Sequence, residues 1–204
     1  MSRSGITTRP RGHDVEIWQR MKYLLSPQWD TYESIAPVVS GNVADIGFGT
    51  GFGTHLLTKN ADNVMAYEMD ECAINFARKA FPIPKLQFKY GDIEKGIDDG
   101  PFDFVVMIDV IEHIRDDRKA LLNIVQLASF SGTLILSTPN RMSRYRKAET
   151  HIREYSPHNL AVLLTEYFTN VRITTYGFAP VVTGYENPLV ALCDNNKENE
   201  SGIL

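Results

Sequence analysis

Separated groups of residues in this chain have types and spacings that suit a single ligand site. The run "VADIGFGTGFGTHLL" at residues 43–57 sets Gly47, Gly49, Gly51 and Gly53 between an apolar segment and a helix-like one. A structural turn needs one or two glycines, so a backbone this bare points to a ligand that the main chain itself approaches closely. Glu68 ends the next strand-like run about twenty residues on, where a carboxylate can accept hydrogen bonds from a ribose diol. Asp92, in "YGDIE", supplies a second acceptor beside the same crevice. Together these groups suit a dinucleotide or another nucleoside. The plain alternative for the glycines alone is a strand-to-helix turn.

Such groups meet only if a fold gathers the ends of several strands. Strand-like runs occur at 42–46, 63–68, 86–91, 102–109, 132–138, 170–176 and 188–194. Among the first five lie helix patterns at 54–59, 70–81 and 116–128, the last with Ala120, Leu121, Ile124, Val125 and Ala128 on one face. A further helix should start at Ser156 as its cap, with Pro157 in the first helical position and Leu160, Leu163, Leu164 and Phe168 facing the core. Alternation of strand and helix implies a parallel sheet covered on both faces. The last two strands are joined by the Gly- and Pro-containing loop 177–188 without a helix, which predicts an antiparallel hairpin at one edge. In such sheets ligands bind beyond the carboxyl ends of the strands, where the strand order switches.

Composition narrows the classes. A 204-residue chain with 43% hydrophobic content can bury one core, so residues 1–204 read as one domain with its core at about 40–193 and flexible ends at 1–13 and 195–204. A net charge of -4 excludes a uniformly basic nucleic-acid binder but not a local basic patch. Cys72 and Cys193 lie far apart in the sequence, as reduced and packed thiols would. No apolar run reaches a membrane span, and the first residues lack a signal-peptide core; the expected compartment is cytoplasmic.

With "VADIGFGTGFGT", "AYEMD", "YGDIE", "FDFVVMIDVIEHI" and "GTLILSTPNR" in this order, the chain resembles the class I S-adenosylmethionine-dependent methyltransferases over about 40–193. The resemblance implies an α/β, Rossmann-like three-layer sandwich whose seven-stranded, mostly parallel sheet ends in an antiparallel hairpin. It implies S-adenosyl-L-methionine as cofactor. Gly47, Gly49 and Gly51 would cradle its methionine part, with Asp45 bonding the loop or the amino group. Glu68 would bind the ribose hydroxyls, Asp92 the adenine amino group, and Met69 and Ile93 would pack on the adenine faces. Ile108 and Asp109, after strand four, would meet the cofactor's amino end, while Arg20 and Tyr23 upstream could reach its carboxylate or form a solvated helix face.

A sulfonium is already an activated methyl donor, so transfer depends mainly on positioning and on charge stabilisation. An oxygen acceptor also benefits from a general base, for which His113 in "DVIEHI" and His151 in "ETHIREYS" are the candidates. The His-x-Arg-x-Tyr-Ser run after strand five is similar to that of the ubiquinone-biosynthesis O-methyltransferase branch; the structural alternative for His151 is a hydrogen-bonded histidine beneath a lid. Asp109-x-x-Glu112-His113 with His151 also resembles the metal site of small-RNA 3'-end 2'-O-methyltransferases, departing from it at Asp109. The expectation is that no metal is held and that Glu112 and His113 pack the site floor. Arg141, Arg144, Arg146 and Lys147 around Tyr145 form a basic loop that can recruit an anionic group.

The expected activity is methyl transfer to a small or medium-sized acceptor, oxygen favoured over nitrogen. The alternatives are metal-assisted RNA 2'-O-methylation, with a nucleic acid as partner, and a nicotinamide-dependent oxidoreductase or non-catalytic nucleotide-binding module. Nothing in the pattern specifies an oligomeric state.

Overall fold

The computed structural model describes residues 27–144 and 147–195. In chain order the elements are α1 (Pro27–Ile35), β1 (Gly41–Ile46), α2 (Thr54–Leu57), β2 (Ala61–Glu68), α3 (Glu71–Ala80), β3 (Leu86–Tyr90), β4 (Phe102–Ile108), α4 (Asp117–Leu127), β5 (Ala128–Thr138), α5 (Pro157–Thr165), β6 (Asn170–Thr174) and β7 (Leu189–Asp194). The strands form one sheet in the order β3-β2-β1-β4-β5-β7-β6. From β1 the chain moves outward to β3 and then crosses back to β4, so the loops after β1 and β4 diverge and leave a crevice between them.

The central strands read as continuous apolar runs because both faces are covered: Val43 to Ile46 and Val105 to Ile108 are buried throughout. One core, with Leu121, Ile124, Leu160 and Leu164, fills the face under α4 and α5. A second, with Ile35, Leu57 and Ile74, fills the face under α1 to α3, completing three layers. Each fully buried Leu or Ile contributes about 1.5–3 kcal/mol. The helices start where short polar side chains can accept the first amides: Asp70 from Cys72, Asp116 from Lys119, and Ser156 from Asn159.

The hairpin forms as expected, with an order that sequence did not supply. The later strand, β7, lies inside, antiparallel to both β5 and β6. Therefore β6 runs in the direction of β5, and the loop 175–188 emerges at the crevice edge. Several expected bounds shift. The helix expected to reach residue 59 is the single turn α2, and β5 begins at Ala128 rather than 132, because Ala128 pairs with Phe102 and lengthens the sheet. Helix α5 stops at Thr165, but Phe168 still reaches the core through a turn closed by its amide on the Leu164 carbonyl. Residues 27–35, outside the expected strand-helix series, form α1. Arg20, Tyr23 and the terminal segments 1–13 and 196–204 lie outside the described residues. No helix among the described residues is long and apolar enough to cross a membrane. Cys72 is exposed and Cys193 buried, both as free thiols.

Candidate active site

The glycine loop leaves β1 at the switch point. Gly47, Gly49 and Gly51 all take positive φ, at 72°, 58° and 81°. At Gly47 a Cβ would lie 2.5 Å from a Val110 methyl, so close packing as well as φ demands glycine. At Gly49 nothing among the described residues stands within 4 Å of the Cβ position, which leaves its backbone open to a ligand. The Gly49 amide donates to Glu68 Oε2 at 3.0 Å, and Glu68 Oε1 accepts from the amides of Met69 and Asp70 at 2.7 and 3.3 Å. Glu68 thus holds the ends of β1 and β2 together, and Oε2, which accepts one amide, keeps a lone pair of the kind a ribose hydroxyl uses.

Asp45 is completely buried inside β1, and both its oxygens accept from the Tyr32 hydroxyl, at 2.9 and 3.1 Å. Burial pushes its carboxyl up to about 7, opposed by the hydroxyls of Thr54 and Tyr32. Asp92 lies at the mouth of the crevice with Lys95 2.8 Å away, which holds its carboxyl below the usual range. Ile93 is packed into the core and its carbonyl accepts from Asn123 at 2.6 Å, while Met69, after the neighbouring strand β2, is exposed.

At the end of β4, Ile108 is buried and Asp109 takes a φ of 53°, a strained position for a residue with a side chain. Ser137 on β5 holds it there: the Asp109 amide donates to the Ser137 carbonyl and hydroxyl at 3.0 and 3.2 Å, and the Ser137 hydroxyl donates to Asp109 Oδ1 at 2.7 Å. Burial raises the Asp109 carboxyl, with Ser137, Gln28 and the nearby His151 and His113 opposing.

The segment 109–113 is not one helical turn of ligands. Only Ile111–His113 is helical, as a short 3₁₀ turn, and Asp109 stands before it at positive φ. Glu112, His113 and His151 do converge: one ligand atom from each lies within 4.8 Å of the others. Glu112 is wholly buried; its Oε2 accepts from the Thr138 hydroxyl at 3.0 Å, and its Oε1 has no hydrogen-bond partner among the described residues. Burial, reinforced by the Asp109 charge, pushes its carboxyl up to about 8. The Glu112 carbonyl accepts the amides of Ile152 and Arg153, and this tether brings His151 to the site. His113 Nδ1 donates to the Thr150 carbonyl at 3.0 Å, and His151 Nδ1 meets Glu154 Oε1 at 2.7 Å. A carbonyl accepts only, so its partner fixes the proton of His113 on Nδ1; the Glu154 carboxylate does the same for His151. The two rings lie edge to face, centroids 4.9 Å apart.

The loop after β5 is anchored by Asn140, which is fully buried and donates through Nδ2 to the carbonyls of Gly184 and Glu186 at 2.9 and 2.7 Å. Loop 139–156 and loop 177–188 therefore make one wall. Arg141, Arg144 and Lys147 are exposed on it; Tyr145 and Arg146 lie outside the described residues. Sequence reasoning missed Tyr32, Ser137, Asn140 and Glu154. Glu154 alone had a readable signal, its place three residues after His151 in "HIREYS".

A crevice at this switch point, floored by a glycine loop and walled by acidic strand ends, defines a Rossmann-like nucleoside-cofactor site. A family model described as a methyltransferase domain matches residues 44–136. A probable S-adenosylmethionine-dependent methyltransferase of Mycobacterium tuberculosis is 30% identical over 142 residues, 66% of this chain and 51% of that protein. A ubiquinone biosynthesis O-methyltransferase of Rickettsia bellii is 27% identical over 127 residues, 61% of this chain and 52% of that one. The chain thus spans about half the length of the curated relatives it matches. Among solved structures, a TehB-like SAM-dependent methyltransferase from Corynebacterium glutamicum superposes with a TM-score of 0.68 at 18% identity, covering 90% of this chain and 96% of that one. The N-methyltransferase NodS from Bradyrhizobium japonicum, in complex with S-adenosyl-L-homocysteine, gives 0.62 at 19% identity over 89% and 88% of the two chains. The chain is thus similar in sequence to S-adenosylmethionine-dependent methyltransferases, carries a match to their methyltransferase domain over residues 44–136, and shares the fold of their solved structures.

Proposed function

We propose that the chain transfers the methyl group of S-adenosylmethionine to a hydroxyl oxygen of a small or medium-sized acceptor, with His151 as general base. The observation that carries this is the His151–Glu154 pair at 2.7 Å: a carboxylate that keeps the imidazole proton on Nδ1 gives Nε2 the lone pair that takes a proton. The acceptor oxygen attacks the methyl carbon as the carbon–sulfur bond breaks. The electron pair stays on sulfur, giving S-adenosylhomocysteine, and the hydroxyl proton passes to His151. His113, set edge to face against His151, orients that ring. In the cofactor site Gly47, Gly49 and Gly51 take the methionine part, Glu68 the ribose and Asp92 the adenine amino group, with Met69 and Ile93 at the base and Ile108 and Asp109 at the amino end. The O-methyltransferase name carried by the Rickettsia relative supports the oxygen preference. Exposed Arg141, Arg144 and Lys147 favour an acceptor bearing an anionic group. The test is methyl-labelled cofactor with a panel of phenols, catechols, alcohols and amines: O-methylated product is expected, with kcat down about 10²–10⁴-fold in His151→Gln. Methylation of amines alone overturns it, and heat on titration with NAD instead of S-adenosylhomocysteine overturns the cofactor assignment.

A second reading is favoured by one observation, buried Glu112, whose Oε1 takes no hydrogen bond among the described residues and which offers a ligand atom within 4.8 Å of His113 and His151. Two imidazoles and a carboxylate suit zinc, manganese or iron(II) better than magnesium, and a bound cation would acidify a ribose hydroxyl in RNA as readily as a phenol. Ligand atoms about 2.0–2.1 Å from a metal sit roughly 3.3 Å apart, so these side chains would close in on it. Full activity in EDTA, with no heat on titration with zinc or manganese, removes this reading and leaves the imidazole base.

A further inference from the structure

We infer that Tyr32 is a positioning residue of the cofactor site, one side chain that sets both the Asp45 carboxylate and the last turn of the glycine run and so makes α1 part of that site. The inference rests on the reading that the glycine loop holds the cofactor. Tyr32 is 2% exposed, and its hydroxyl proton is shared between the two oxygens of Asp45. Its ring lies on Gly53: a Cβ there would come 2.2 Å from Cδ2, 2.3 Å from Cε2 and 2.6 Å from Cγ of Tyr32.

Gly53 has a φ of -76° and a ψ of -44°, ordinary right-handed helix that any residue adopts. Its backbone therefore does not require glycine, and helix propensity would favour alanine. Space under the Tyr32 ring does require it. This accounts for the one glycine of the run that does not fit a ligand-binding spacing. Asp45 and Gly53 bracket the loop, so the ring and hydroxyl of one residue span its base. Helix α1 also packs on the turn 176–178, where Asp30 faces the Tyr176 hydroxyl. It thereby sits between the cofactor loop and the loop after β6, and the seating of α1 is felt on both sides of the crevice.

A double-mutant cycle on the affinity for S-adenosylhomocysteine, measured by calorimetry on the full chain, tests this. Tyr32→Phe keeps the ring and removes the bond to Asp45; its Kd should rise about tenfold. Gly53→Ala alone should raise Kd by at least that factor, and in the Tyr32→Ala background it should change Kd by less than about twofold, since the ring it would strike is gone. Thermal melts without ligand accompany each variant, because a purely structural role predicts losses of melting temperature that leave the affinity of the folded protein unchanged. Equal effects of Gly53→Ala in both backgrounds, or wild-type affinity in Tyr32→Phe, overturn the inference. Failure of the unmutated chain to bind S-adenosylhomocysteine would instead overturn the cofactor reading beneath it.

Discussion

Replacing Glu112 by Gln should change the way stability depends on pH, by an amount the burial of Glu112 sets. In the folded chain its carboxyl titrates at about 8 against an ordinary 4.5, because burial beside Asp109 disfavours the anion. Between those values the unfolded chain has released the proton and the folded chain retains it. The stabilising contribution is therefore complete below the ordinary value and is lost as the pH rises through about 8. Integrated from pH 5.5 to 8.5, such a group withdraws about 3 kcal/mol. Gln keeps the shape and can still accept from Thr138, but it does not titrate. Its amide brings an offset of its own, about 1–3 kcal/mol for donors left unbonded, which is the same at both pH values and cancels. Urea unfolding of both proteins at pH 5.5 and 8.5, in EDTA to keep metals away, gives the four free energies needed. The wild-type chain should lose about 3 kcal/mol more than Glu112→Gln across this interval. Parallel losses in the two proteins would refute the claim that buried Glu112 holds its proton near neutral pH.

Gly47→Ala should destabilise the chain by about 2–4 kcal/mol in urea, from positive φ and overlap with Val110, and Val110→Ala should recover the overlap part. Glu68→Gln should weaken S-adenosylhomocysteine binding at least about tenfold by calorimetry, since charge-assisted bonds to the ribose and to Gly49 are both reduced; unchanged affinity would remove Glu68 from the site. Glu154→Gln should lower kcat roughly 10- to 1000-fold with S-adenosylhomocysteine affinity unchanged, because the His151 proton is less firmly held on Nδ1. Loss of affinity with kcat intact would argue for a structural rather than an orienting role.

The parts legible beforehand share a cause: each depends on residues close together in sequence. Ser156 and Pro157 announce a helix start because a cap acts within three residues, and the apolar runs of β1 and β4 announce buried strands because both faces of the sheet are covered. The glycine run declares a close backbone approach, and Glu68 and Asp92 declare acceptors at strand ends. Illegible were Tyr32 on Asp45 and Ser137 on Asp109, because each depends on where a side chain points after elements 13 and 28 residues apart have packed. The local shape of 109–113 was illegible too: tertiary bonds to Ser137 hold Asp109 at positive φ and leave only a short 3₁₀ turn after it.

By itself the amino-acid sequence determined the class of fold, the cofactor and the presence of glycines and acidic residues at the ends of the strands. Those properties are periodic or local and survive being read one segment at a time. Tertiary structure alone decided that β7 lies inside β6, that α1 closes the base of the glycine loop, and that His113, His151 and Glu112 converge beside Asp109. Such juxtapositions arise from packing distant surfaces, where complementary volume and hydrogen-bond satisfaction choose the neighbours and sequence spacing carries no record of the choice.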